Sequence, residues 1–253
     1  MKNILKYLFY FVFLLLAKNS FASHLAGNEI TYKWVDTLKY EVTMKWYRDC
    51  SGISLNSGGI LSVRCSSGSI IYDTLALVSI ENITPTCLTT TSACSPANTT
   101  GTGDGIEVHS YRGIIDFNSS TFSSLASCSG EIIFSGSLNA RSSSITTGMS
   151  GNLYNYATLR LTSAPINNSP QLSKKPIQIL CCQQPVFINM GAIDTVERDS
   201  LSYSWAHPMS AFNTIINYTG GHLYQQPFTV YYPGSLSYPY RNVNANPPIG
   251  IYL

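Results

Sequence analysis

Charged side chains are what this sequence has least of. Asp, Glu, Lys and Arg make up 11% of its 253 residues, against roughly 25% in an average soluble protein. Solubility must therefore rest on Ser, Thr, Asn and Tyr, which suits an extracellular β-rich surface better than a cytosolic enzyme. No basic run is present to displace counterions from a phosphate backbone, so nothing points to nucleic acid as a partner. Histidine is scarce as well. His24, His109, His207 and His222 form no close pair and read as packing or surface residues. No Gly-x-Ser-x-Gly elbow or His-Glu-x-x-His zinc motif occurs. Gly101-Thr-Gly-Asp-Gly105 lacks the Lys-Ser/Thr that completes a phosphate-cradling loop, and reads as a flexible connection. With 13 acidic residues in the chain, a glycoside hydrolase with two facing carboxylates is the remotest of the functional readings.

Long hydrophobic runs are limited to one. Lys2 and Lys6 precede Leu8–Ala17, an uncharged apolar stretch that stops at Lys18, and Ser20-Phe21-Ala22 places small residues at the positions a signal peptidase reads. A spanning helix needs about 20 apolar residues, roughly twice this run. Residues 1–22 are therefore expected to be a cleavable signal peptide, leaving no transmembrane segment after cleavage. No Cys follows the cleavage site, which argues against a lipoprotein. Cleavage removes Lys2, Lys6 and Lys18, so the 15 basic residues become 12 against 13 acidic ones. The exported chain carries a net charge of −1 rather than +2.

Cysteine, by contrast, is plentiful. Cys50, Cys65, Cys87, Cys94, Cys128, Cys181 and Cys182 all follow the signal. In an oxidising compartment most should pair, and the odd number leaves at least one free or intermolecular. No Cys-x-x-Cys or Cys/His spacing suits zinc. Cys87 and Cys94 flank a short Thr/Ser-rich loop and are expected to form the local bridge. Neighbouring Cys181 and Cys182 strain a mutual disulfide and should look elsewhere.

The hydrophobic period is two almost throughout. Tyr40, Val42, Met44 and Trp46 share one strand face, with Lys39, Glu41, Thr43 and Lys45 on the other. Asn28–Val35 precedes them, with a hairpin turn at Asp36-Thr37. Further strands are expected over Ile60–Arg64, Ser69–Tyr72, Leu75–Ile80, Ile106–Phe117, Glu131–Leu138 and Tyr154–Thr162. Beyond a Pro-bracketed linker at Ala164–Pro170, more are expected over Ile177–Leu180, Pro185–Met190, Ser200–Ala206, Ile215–Tyr218 and Phe228–Tyr232. No stretch after the signal sustains a 3.6-residue repeat, so helix content should be small. Trp34, Trp46 and Trp205 fall in strand patterns and are expected in the core.

Three acids in one loop, Asp194, Glu197 and Asp199, are the metal candidate. Calcium takes six to eight oxygens, which such a loop could supply with its carbonyls; the alternative is a solvated turn. The abundant Tyr invites a carbohydrate-binding reading, although Tyr is also a favoured strand residue. Tyr231, Tyr232, Tyr238 and Tyr240, in a Pro- and Asn-rich tail, are the exposed candidates. The sequons at Asn82, Asn98, Asn118 and Asn217 are unsurprising in so Asn/Thr-rich a chain.

Residues 23–52 carry a signature. Ser23-His-Leu-Ala-Gly-Asn-Glu-Ile-Thr-Tyr32 is followed by Tyr40-Glu-Val-Thr43 and Tyr47-Arg-Asp-Cys-Ser-Gly52. This resembles the N-terminus of the large secreted surface proteins of Bacteroidetes, which carry PKD-like or cadherin-like repeats and a gliding-motility-associated C-terminal domain. Gly105–Gly113 resembles the Glu-x-x-x-Tyr-x-Gly strand of that family, and Ala140-Arg141 through Leu159 its Arg-containing segment followed by an Ala-x-Leu strand. Asn168–Pro170, Gly191–Asp194 and Asp199–Tyr203 resemble the repeat-type second module. Asp194–Asp199 departs from the family's Asp-x-Asp-Gly-Asp turn, being one residue longer and lacking the Gly. Ile249-Gly-Ile-Tyr-Leu253 reads as the opening of another strand, so the sequence is expected to be a fragment or a truncated product.

The expectation is therefore an all-β protein. A disulfide-braced β-sandwich-like domain spans residues 23–165, and an incomplete Ig/PKD-like module spans 166–253. Its expected role is that of a non-catalytic module of a secreted or cell-surface protein, adhesive in character, with surface glycans or other cell-surface proteins as partners. A carbohydrate-binding module is the alternative. Calcium apart, no cofactor is expected.

Overall fold

The computed structural model describes residues 25–84 except 53 and 67, 92–95, 105–162 except 140, 143–145 and 148–150, then 164, 166–176 except 175, 191–227, and 235. Among these the protein is all-β, with one single-turn 3-10 helix at Ser123–Leu125. Seven long strands are β1 Leu25–Asp36, β2 Lys39–Asp49, β3 Gly58–Cys65, β4 Ile70–Asn82, β5 Ile106–Asp116, β6 Ile132–Leu138 and β7 Leu153–Leu159. Short strands β8 Gln171–Leu172, β9 Ala192–Ile193, β10 Met209–Ala211 and β11 Thr214–Ile215 follow. The main sheet runs β1-β2-β5-β4-β3-β6-β7-β10-β11, and β8 pairs with β9 separately. The residues after 165 thus extend the main sheet through β10, where Met209 pairs with Tyr154 of β7.

Alternation builds the hairpin that begins the fold. Tyr40, Val42, Met44 and Trp46 are all buried, as their period of two requires. Thr37-Leu38 forms the turn of β1 and β2, with Asp36 Oδ1 accepting the Thr37 N–H at 2.7 Å. Leu38 sits at φ 57°, a region that costs a branched side chain on the order of 1–2 kcal/mol. Packing of its side chain against the core offsets that cost.

The sheet is braced as a sandwich: β1 folds over to lie against β6 and β7. Asn155 Nδ2 donates to the Asn28 carbonyl at 2.8 Å, and the Tyr32 hydroxyl donates to the Thr158 carbonyl at 2.9 Å. Tyr32, Tyr40, Phe117, Phe122 and Phe134 fill the interior in a chain of edge and tilted ring contacts. Each such burial contributes about 1.5–3 kcal/mol. Two inward glycines set how closely the layers approach. A Cβ on Gly59 would lie 2.7 Å from Met44 Cε, and one on Gly136 would lie 2.7 Å from Met44 Sδ. Met44 therefore fits between the layers because both positions lack a side chain.

Two disulfides close this body. Cys65, the last residue of β3, bonds Cys128, and Cys50, directly after β2, bonds Cys94. The Cys94 bond corrects the expected Cys87–Cys94 pairing. Thr84 and Ser92 dictate the outcome. Thr84 Oγ1 accepts the Ile106 N–H at 2.9 Å and shares a hydrogen bond with Ser92 Oγ. Ser92 Oγ in turn accepts the Cys94 N–H at 3.0 Å. This lays Cys94 across the start of β5, where the Cys50 N–H already bonds the Gly105 carbonyl. Cys87, Cys181 and Cys182 lie outside the described residues.

Other expectations shift in detail. Ser69–Tyr72 and Leu75–Ile80 are one strand, because Asp73 Oδ1 takes the Thr74 N–H without breaking the pairing with β3. Ser200–Ala206 forms no strand, and Trp205 there is only half-buried. Leu201 and Tyr203 stay exposed. Trp46 is in the core, and Trp34 packs against it from the rim. Ile177–Leu180, Pro185–Met190 and Phe228–Tyr232 lie outside the described residues, as do residues 1–22. Among the described residues no helix is long and apolar enough to cross a membrane.

Candidate functional site

The inward faces of the strands are consumed by the core, so surface chemistry falls to the outward ones. On β3 the outward residues are Ile60, Ser62 and Arg64, and on β4 they are Ile70 and Tyr72. Pairing of Ser62 with Ser135 brings Ser135 and Ser137 of β6 alongside, and Ser137 in turn pairs with Tyr154 of β7. These residues line a cleft of about 390 Å³, within the roughly 300–1,000 Å³ range of small-ligand sites. Ala211 and Phe212 complete it.

Phe212 reaches the cleft because β10 and β11 form a tight hairpin. Phe212 and Asn213 are its turn, and Asn213 adopts φ 57°, a conformation that Asn tolerates. The hairpin is moored to the body by Thr219, whose N–H and Oγ1 both donate to the Thr146 carbonyl, at 2.9 and 2.8 Å. Arg64 then stacks on the ring, its Cζ 4.4 Å from the Phe212 centroid. Arg64 Nε also leans on the Cys65 carbonyl at 3.4 Å. The Cys65–Cys128 bond pins that end of β3, so the guanidinium stands on a fixed support.

The cleft is amphipathic. Tyr72 is 66% and Ile60 63% exposed. Tyr156, two residues beyond Tyr154 and 6.0 Å from it between ring centroids, continues the aromatic surface outward. Burial raises the pKa of the Tyr154 phenol, eased by Ser135 and Arg64. Its hydroxyl is buried beside Ser135. Ser62 and Ser135 share a hydroxyl–hydroxyl bond on the floor. Among the described residues no carboxylate lines the cleft or pairs with Arg64.

A second polar cluster lies inside the body. Arg48 and His109 both bond Glu107 Oε1, and Arg48 also donates to the Gly52 carbonyl. Burial pushes the Glu107 carboxyl up, but the bonds from His109 and Arg48 outweigh it and hold the group below its ordinary range. Glu107 Oε and the sulfurs of Cys50 and Cys94 lie within 4.8 Å of one another. Joined as a disulfide, those sulfurs are not thiolate donors. The cluster seals the end of the core.

The structure does not bring the predicted calcium loop together. Asp194 spends its carboxylate on backbone N–H groups, Oδ1 accepting from Val196 and Glu197 at 3.2 Å and Oδ2 from Asp199 at 3.0 Å. Glu197 turns inward to Asn168, whose Nδ2 donates to Oε1 at 2.7 Å. Asp194, Glu197 and Asp199 do not meet as a metal cluster. Tyr231, Tyr232, Tyr238 and Tyr240 lie outside the described residues. Sequence reasoning missed the cleft, although Ile70-Ile71-Tyr72, apolar on both strand faces, and Tyr154-Asn-Tyr156 both signal it.

Comparison with protein-family models, with curated proteins and with solved structures finds no match for this chain.

Proposed function

We propose that this protein is a non-catalytic, adhesive module of an exported protein, and that it adheres through the outward face of β3, β4, β6 and β7. The observation that carries this reading is the exposure of Tyr72, Ile60 and Tyr156 around a cleft on a sheet braced by two disulfides. A monomeric surface that keeps large apolar side chains clustered in the open marks an interaction site. The cross-links suit an oxidising, extracellular setting. The signal-like segment at residues 1–22 and the resemblance of Ser23–Gly52 to Bacteroidetes surface proteins support the same role.

Beads coated with the chain from Ser23 onward should be retained on cells or extracellular matrix that bare beads do not hold. Tyr72→Ala and Tyr156→Ala together should abolish most of that retention while leaving the melting temperature unchanged. Equal retention of the double variant would place adhesion elsewhere and sink this reading.

A further inference from the structure

The composition of the cleft points beyond adhesion in general to a ligand class. A sugar ring offers an apolar C–H face and a rim of hydroxyls, and it is met by a flat aromatic side chain flanked by small polar groups. Tyr72 and Tyr154 supply the first requirement, and Ser62, Ser135 and Ser137 the second. Arg64 adds what a neutral sugar would not need. Its guanidinium is backed by the Phe212 ring and held without a carboxylate partner among the described residues. An unpaired planar cation in a partly enclosed site matches a carboxylate, which it can engage through two parallel N–H bonds.

We propose that this cleft binds a hexuronate unit of an acidic extracellular polysaccharide, with Arg64 on the uronate carboxylate and Tyr72 against the sugar ring. Tyr156, exposed beside Tyr154, takes the neighbouring unit, which is why a polymer is preferred to a free monosaccharide. This inference deepens the adhesive reading by naming the ligand of the same face.

The test is calorimetric titration of the chain from Ser23 onward with oligogalacturonate and, separately, with neutral galacto-oligosaccharide of equal length. Oligogalacturonate should bind, more weakly as salt rises, and Arg64→Met should weaken it by about tenfold or more. Tyr72→Ala, at an exposed position where folding is not at stake, should weaken both sugars. Neutral sugar binding as tightly as the uronate, with Arg64→Met silent, would overturn the acidic-sugar assignment. Bead retention without binding of either sugar would overturn it as well, while leaving the adhesive reading intact. Loss of bead retention in every assay would remove the adhesive reading itself.

Discussion

Asn168 completes the edge of the sheet at Trp34: its Oδ1 accepts the Trp34 backbone N–H at 2.8 Å, and its own amide donates to Glu197 Oε1. Ser169 does the same for Tyr32, accepting that N–H through Oγ at 2.8 Å and donating its backbone N–H to the Tyr32 carbonyl at 3.0 Å. Two consecutive residues thus stand in for a neighbouring strand along β1. An uncovered edge invites pairing with other chains. Asn168→Ala should cost about 1 kcal/mol and raise concentration-dependent light scattering. Hydrogen exchange at the Trp34 amide should accelerate in the same variant. An unchanged exchange rate would show that the side chain does not guard this edge.

The disulfides make a separate, chemical prediction. Non-reducing peptide mapping should yield Cys50–Cys94 and Cys65–Cys128 as linked pairs. Cys94→Ser should lower stability in urea by about 2–4 kcal/mol, since it releases a 44-residue closure. Recovery of a Cys87–Cys94 peptide would contradict the arrangement.

Gly136 is, with Gly59, a tight point between the layers. Gly136→Ala pushes a methyl against Met44 Sδ and Trp46 Cζ2, at 2.7 and 3.1 Å, and should cost about 1–3 kcal/mol. Gly27→Ala meets only the Tyr47 side chain, Cδ2 at 3.4 Å and Cβ at 4.0 Å, both ordinary contacts. It should stay within about 0.5 kcal/mol of the parent. Thermal melts of the two variants side by side decide the matter, and equal losses would refute the packing argument.

Acid should find Glu107. Its carboxyl is held below the ordinary value of 4.5 in the folded state, so the unfolded chain takes up that proton first. The stabilisation is therefore fully present above the ordinary value and is lost as pH falls through the folded one. Glu107→Gln should be less stable at neutral pH, because Arg48 loses its anion. Its stability should also decline less steeply below about pH 4.5. An acid limb as steep as the parent's would assign the proton to another group.

How far these features can be read from the sequence depends on whether they are local. Tyr40, Val42, Met44 and Trp46 announce their strand because alternation is written within eight residues, and the all-β architecture follows from repeating that pattern. The Cys50–Cys94 bond is not local. It depends on Thr84 and Ser92 folding a loop over β5, and no spacing of cysteines encodes that. The candidate site is less legible still. Arg64 and Phe212 meet only because a hairpin late in the chain docks on β7, and each is an ordinary strand or turn residue when read alone. Asp194, Glu197 and Asp199 show the converse: close in sequence, they diverge because the first caps its own loop and the second faces Asn168.

The overlapping disulfides have a mechanical consequence. If tension enters through β1 and leaves beyond β7, the Cys65–Cys128 bond carries the load directly across a separation of 63 residues. At about 3.3–3.6 Å per residue, roughly 200 Å of chain stays slack however hard the molecule is pulled. β4 and β5 lie wholly within that stretch, together with most of β3's partner contacts. Ile70 and Tyr72, one wall of the cleft, lie on that slack stretch and stay out of the line of tension until the bond is reduced.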